Sequence, residues 1–196
     1  MFRSRQLRFL FGVILAVALL VVAIILIFIH GPSTPTSPSH PKTPAAPMAS
    51  YANDPTAQVA MLIDGPTSAP SLHNQVLITI TNSVTKMLIF QGYNDQVKAS
   101  YAFPMTDAAF HVFLRSLEYA GYNSGSNNPA LSQASGYCPT GDRYIFTFDA
   151  DGVQKQRYWA TNCGGPGTYE GNLDLTIQLF EAQVPNYSNL TGNLNI

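Results

Sequence analysis

The hydrophobic pattern divides the chain into three unlike stretches. Phe9 to Ile29 is a run of twenty-one uncharged, mostly branched apolar residues, preceded by Arg3, Arg5 and Arg8 and followed by His30-Gly31-Pro32. A helix rises 1.5 Å per residue, so this run covers roughly the 30 Å hydrocarbon core and predicts a transmembrane helix over 9–30. Residues 31–50 then read GPSTPTSPSHPKTPAAPMAS, with proline at 32, 35, 38, 41, 44 and 47. From residue 51 onward the apolar positions recur with the periods of a folded domain.

In that third stretch Val76, Ile78 and Ile80 alternate with Leu77, Thr79 and Thr81, and Val97, Ala99, Tyr101 and Phe103 alternate with Lys98 and Ser100. Alternation of period two predicts strands. Val84 to Gln91 is a third strand-like run, joined through Asn82-Ser83 and Gly92-Tyr93-Asn94 into a meander, and Gln58 to Asp64 adds an edge strand before Gly65-Pro66. The period then lengthens. Phe110, Phe113, Leu114 and Leu117 mark an amphipathic helix behind the cap residue Thr106, with Asp107 in its first turn and Gly121 at its end. A hairpin follows, Arg143 to Phe148 and Val153 to Ala160 around Asp151-Gly152, and it sets Trp159 on the face of Tyr144 as a core aromatic. A second helix begins near Asn172, carries Leu173, Ile177, Phe180 and Val184, and stops at Pro185. The expected fold is α+β: an antiparallel sheet with two helices on one face, arranged as two ββα-like halves.

Charge sets the orientation. Three arginines and no acid precede the apolar run, and the next cation is Lys42. The positive-inside bias leaves residues 1–8 as a cytoplasmic stub and puts the rest outside, in a single-pass protein of the plasma membrane that meets the lipid bilayer through residues 9–29. A cleaved leader has a shorter apolar stretch and a small-x-small site, whereas this run ends in Ile-Phe-Ile-His-Gly-Pro. The proline-rich segment is a spacer on either of two readings, a polyproline II rod of about 60 Å or an unordered linker. Residues 51–196 form the extracytoplasmic domain. Six cations stand there against all eleven acids of the chain, a net charge of −5. Nucleic acid, which demands a basic footprint, is excluded as a partner.

Cys138 and Cys163 are the only cysteines, and both fall on the side assigned to the outside, where disulfides persist. The Asp-Gly turn brings them within a couple of residues of directly opposite at the open end of the hairpin. They are expected to form a structural disulfide, since a redox pair takes the C-x-x-C spacing.

No motif of a known chemistry appears. His73 and His111 are the domain's only histidines, and the chain lacks G-x-S-x-G, H-E-x-x-H and G-x-x-x-x-G-K-[ST]. Asp149-Ala-Asp151-Gly152 starts like a calcium loop without its later ligands. No catalytic residue, metal ligand or cofactor is therefore assigned. Two loops are better candidates for function. Tyr122 to Tyr137 is sixteen residues without a charge, and Cys163 to Asn172 is glycine-rich beside the expected disulfide. Loops this long are binding elements or unordered. Their candidate contacts are Asn123, Asn127, Asn128, Tyr137, Tyr169 and Glu170.

Cys138-Pro-Thr-Gly141 with Arg143-Tyr-Ile, Trp159 to Cys163-Gly, Gly167-Thr-Tyr-x-Gly171-Asn, and Leu179-Phe180 before Pro185-Asn-Tyr187 resemble a group of single-pass, membrane-anchored extracytoplasmic proteins of small-genome bacteria. The resemblance covers most of the outer domain. It implies the anchor, the spacer and a disulfide-linked domain, and brings no activity. The order of elements also resembles that of small α+β protease inhibitors. These features lead to a non-catalytic binding module of the cell envelope, contacting a protein or wall ligand. An inhibitor or regulator of a secreted protease, and an envelope hydrolase, are the competing expectations.

Overall fold

The structure, a computed structural model, describes residues 46–196. The expected stub, the membrane span and the linker up to residue 45 lie outside the described residues. Among the described residues no helix is long and apolar enough to cross a membrane. The final linker positions are already folded: Met48–Tyr51 forms a 3-10 turn and Met48 is buried in the core. The domain boundary expected at residue 51 moves back accordingly, because a buried methionine side chain removes apolar surface from water.

Among the described residues six strands make one antiparallel sheet: β1 (Gln58–Asp64), β2 (Asn74–Ile80), β3 (Val84–Gln91), β4 (Gln96–Pro104), β5 (Arg143–Ala150) and β6 (Val153–Thr161). Their order is β4-β3-β2-β1-β5-β6. The fold is α+β as expected, but β1 is central rather than an edge. Its apolar run explains why. Val59, Met61 and Ile63 enter the main core while Ala60 is buried on the opposite face, so this strand needs cover on both sides and a neighbour on each edge. The two-halves expectation is corrected with it: β1 to β4 precede the first helix, and β5-β6 adds on beside β1 rather than forming a second unit.

The described residues form three α-helices: α1 (Asp107–Tyr119) between β4 and β5, and α2 (Leu173–Glu181) and the short α3 (Tyr187–Thr191) after β6. Thr106 accepts from the Ala109 amide and Asn172 from the Leu175 amide, so both predicted caps satisfy donors that the first turn leaves free. Gly121 adopts φ +76° after α1, where the Tyr122 amide returns to the Leu117 carbonyl. The apolar stripe Phe110, Phe113, Leu114 and Leu117 joins Phe180 over one face of the sheet, with Phe113 and Phe180 edge to face at 5.5 Å.

The other face carries a smaller core. Ala134, Ile145 and Trp159 are buried there, with Leu62, Leu131 and Tyr137 packed against them. Trp159 opposes Ile145, not Tyr144, because a bulge between Phe148 and Asp149 shifts the hairpin by one residue. A one-residue slip turns each side chain to the opposite face, so Trp159 lies under the long loop instead of under the helices.

Cys138 and Cys163 are bonded, with Cα atoms 5.7 Å apart, at the expected open end of the β5-β6 hairpin. Gly141 makes room for them: a Cβ there would stand 2.8 and 2.9 Å from the two sulfurs. Beside the bridge, Asp64 at the end of β1 accepts from Arg143 Nε at 2.7 Å and from Gln75 Nε2 at 2.9 Å, and the guanidinium also donates to the Gly65 carbonyl. This network ties β1, β2 and β5 together at one end of the sheet.

Candidate functional site

The loop from Tyr122 to Tyr137 is fastened along its length. Tyr122 is buried at its start, its hydroxyl 2.7 Å from the Thr147 carbonyl and 2.9 Å from that of Ala60. Burial raises the Tyr122 phenol far above its usual pKa, with Tyr169 adding to the effect, so the hydroxyl stays neutral. Next, Gly125 bridges to Tyr169, the Ser126 amide donates to the Thr168 carbonyl at 2.8 Å, and the Glu170 amide donates to the Ser124 carbonyl at 3.0 Å. Only glycine fits at 125, since a Cβ would lie 2.5 Å from the Tyr158 ring and 2.6 Å from the Thr168 carbonyl.

Further along, Asn128 accepts from the Ala130 amide and opens the 3-10 turn Pro129–Leu131. The Leu131 carbonyl receives the indole N–H of Trp159 at 2.6 Å, and the Ser132 carbonyl receives Arg157 at 3.2 Å. Thr168 closes the circuit by accepting the Trp159 amide on its hydroxyl at 2.9 Å. A loop held by this many backbone bonds is preorganised, so it does not lose that ordering entropy again when it meets a ligand.

Between the loop and β6 lies a cleft of ≈ 240 Å³, lined by Asn127, Asn128, Pro129, Ser132, Arg157 and Trp159 together with neighbouring loop atoms. Its side chains include two amides, the hydroxyls of Ser126, Ser132 and Thr168, and one guanidinium on an otherwise uncharged wall. Such a set makes directional hydrogen bonds and accepts a single anionic group. A larger, shallower groove of ≈ 430 Å³ runs between α1 and α2, where Val112, Tyr119, Leu175 and Leu179 give it a mainly apolar lining with little to orient a ligand.

Asn127 and Asn128 are brought into the cleft, both exposed. Asn123 and Glu170 are exposed outside its lining, and Tyr137 is half-buried against Trp159 at 5.0 Å between ring centroids. Tyr169, expected on the loop surface, is turned inward instead. Its ring packs on Phe146 at 4.6 Å and its hydroxyl lies 2.6 Å from Thr176 Oγ1, because the Gly125 bridge holds its backbone against the sheet. Sequence reasoning missed Arg157, and it placed Trp159 in the core, where it is buried, but on the opposite face of the sheet. Their i, i+2 spacing on one strand was the available signal, and the bulge hid which face they share.

The two histidines differ. His111 is exposed on α1. His73 is 0% exposed, stacked on Tyr93 at 4.1 Å, with Nδ1 3.1 Å from the Pro66 carbonyl and Nε2 3.1 Å from Asp64 Oδ1. No hydrogen bond forms across the Nε2 to Asp64 gap. A ring so enclosed braces the Asp64 network and is not open to a substrate. Among the described residues no group of three histidines, cysteines or acids is placed to hold a metal ion. No family model matches the chain, and no curated protein matches it.

Proposed function

We propose that this protein is a membrane-anchored, extracytoplasmic binding module of the cell envelope, non-catalytic, which engages an envelope protein or wall component through the cleft between loop 126–132 and β6. The cleft carries the proposal. It gathers Asn127, Asn128 and Arg157 on a wall that Trp159 holds rigid, which is a recognition surface without an activated nucleophile beside it. The apolar run over 9–29, its upstream arginines and the Cys138–Cys163 bridge support placement outside the membrane, in an oxidising compartment. The resemblance to anchored extracytoplasmic proteins agrees with that placement.

The experiment is photo-crosslinking in intact cells, with the full-length chain carrying a benzophenone amino acid at Asn127 or, as a control, at the exposed Lys86 of β3. A discrete adduct from position 127 that is missing from position 86, and lost on Arg157→Ala, is the expected result. Equal labelling at both positions, or none at 127, rejects the cleft as the contact. Protease shaving of the same cells reports placement, since an outside domain is cleaved without lysis.

A further inference from the structure

The sheet ends in two edge strands, β4 and β6, and they are guarded differently. On β6 the first half carries Lys155 and Arg157, and further along the Thr168 and Tyr169 amides both donate to the Trp159 carbonyl at 2.9 Å. Charge and cover of this kind keep an edge from pairing with another chain. On β4 such devices stand only at the ends, where a bulge leaves Lys98 out of the β3 pairing and Pro104 closes the strand. Ala99 to Phe103 between them carries no charge. Among the described residues its backbone is bonded to nothing beyond β3.

The ladder fixes which way these backbone groups point. The Met105 amide donates to the Ser83 carbonyl at 3.0 Å, in phase with Phe103 opposite Thr85, Tyr101 opposite Met87 and Ala99 opposite Ile89. Hydrogen-bonded and non-hydrogen-bonded pairs alternate along an antiparallel ladder, so these odd positions direct their amides to β3. Ser100 and Ala102 therefore turn N–H and C=O outward. The side chains divide in the same way: Ala99, Tyr101 and Phe103 are half-buried against the main core, whereas Ser100 and Ala102 are exposed.

We propose that β4 pairs antiparallel with β4 of a second copy of this chain, centred on Tyr101. In that register Ser100 lies opposite Ala102 of the second copy, and each outward N–H meets an outward C=O about a two-fold axis. On the core side Ala99 meets Phe103 of the second copy, small against large, and the two Tyr101 side chains are neighbours. The half-covered apolar row thus continues across the join. Lys98 comes opposite Pro104, so no like charges oppose each other. A two-residue shift sets Ser100 opposite Pro104, which has no N–H, or Ala102 opposite the bulged Lys98, and the register is fixed accordingly. Any extended peptide satisfies the backbone, but the edge already supplies its own complement in side-chain size and charge. The pairing is independent of the cleft at loop 126–132.

The test takes the full-length chain in mild detergent, with light scattering for its mass and added cysteines for cross-linking. The wild-type protein mass should be twice that of Ala102→Pro, which removes an outward N–H and leaves the β3 ladder intact. Ala102→Lys, a change at an exposed side chain, sets the two introduced lysines diagonal to each other across the axis and should weaken the dimer about tenfold or more at low salt. Under mild oxidation Tyr101→Cys is expected to link to itself, because a non-hydrogen-bonded pair holds its Cα atoms about 4.5 Å apart, within disulfide reach. Ser100→Cys, displaced along the ladder, should link about tenfold less. Tyr119→Ser, at an exposed side chain on α1, should leave the dimer unchanged, which separates edge pairing from association through the α1–α2 groove. A monomeric wild type, a dimer undiminished in both Ala102 variants, a dimer lost with Tyr119→Ser, or Ser100→Cys linking as readily as Tyr101→Cys would each overturn the proposal.

Discussion

Trp159 donates its indole N–H to the Leu131 carbonyl at 2.6 Å, joining the middle of the long uncharged loop to the last strand beside the Arg157 bond to the Ser132 carbonyl. Phenylalanine at 159 would keep an aromatic ring but leave a partly buried carbonyl without its donor. Trp159→Phe is expected to cost about 1–2 kcal/mol in urea unfolding and to speed hydrogen exchange at residues 130–134. Unchanged exchange there would show that the loop is held by its other bonds alone.

Gly125 permits the closest approach of that loop to β6. Gly125→Ala should cost about 1–3 kcal/mol by overpacking against Tyr158 and should release the loop locally. Amide protection at Ser126 and Glu170, which donate to Thr168 and Ser124, is the direct readout. Retained protection at both would mean the loop shifts as a body without detaching.

The disulfide joins cysteines 25 residues apart. On the loop-entropy account, replacing both with serine removes about 3.5 kcal/mol of stability, and mild reductant should lower the melting temperature in parallel. A loss under about 1 kcal/mol would show that Gly141 packing and the Asp142–Asn162 hydrogen bonds already hold the open end of the hairpin.

Asp64 neutralises a buried guanidinium, since the Arg143 side chain is only 6% exposed. Asp64→Ala strands that charge and should cost about 3 kcal/mol, whereas the Asp64→Ala/Arg143→Met pair should recover most of the loss. If the double variant is as unstable as the single one, the network matters through hydrogen bonds to Gly65 and Gln75 rather than through charge.

Acid should act on Asp142. Burial raises its pKa above the ordinary 3.8, opposed by hydrogen bonds from Tyr144 and Asn162. The folded protein therefore binds this proton more tightly than the unfolded chain, and the penalty on folding disappears as pH falls through the raised value. Asp54 works in the opposite direction. The Asp151 amide, then the Thr56 amide and hydroxyl, hold its pKa below 3.8, so its contribution persists until pH drops through that lower value. In unfolding series between pH 7 and 4, wild type should gain on Asp142→Asn as pH falls. A stability difference that does not vary with pH would refute the assignment.

Local patterns sufficed for much of this molecule. Thr106 and Asn172 announce their helices because a side-chain oxygen ahead of an apolar stripe satisfies the free amides of the first turn. The period-two runs identified β2 and β4, an apolar run between them marked β3, and the Asp-Gly turn brought Cys138 near Cys163, because these are consequences of a few consecutive residues. The apolar run at 9–29 and the net charge are likewise properties of the chain itself.

Other features depended on neighbours distant in sequence. Which strand lies beside β1 was settled by the burial that its second face requires, not by its own period. A single bulge at Phe148 and Asp149 moved Trp159 to the opposite side of the sheet, and the Gly125 bridge turned Tyr169 into the core. Asn74 at the start of β2 and Asn195 near the end of the chain line one polar pocket although most of the domain's sequence separates them. Composition and periodicity record what each residue prefers, whereas a site is made where chain segments converge, and that convergence is set by the packing of the whole sheet and its helices.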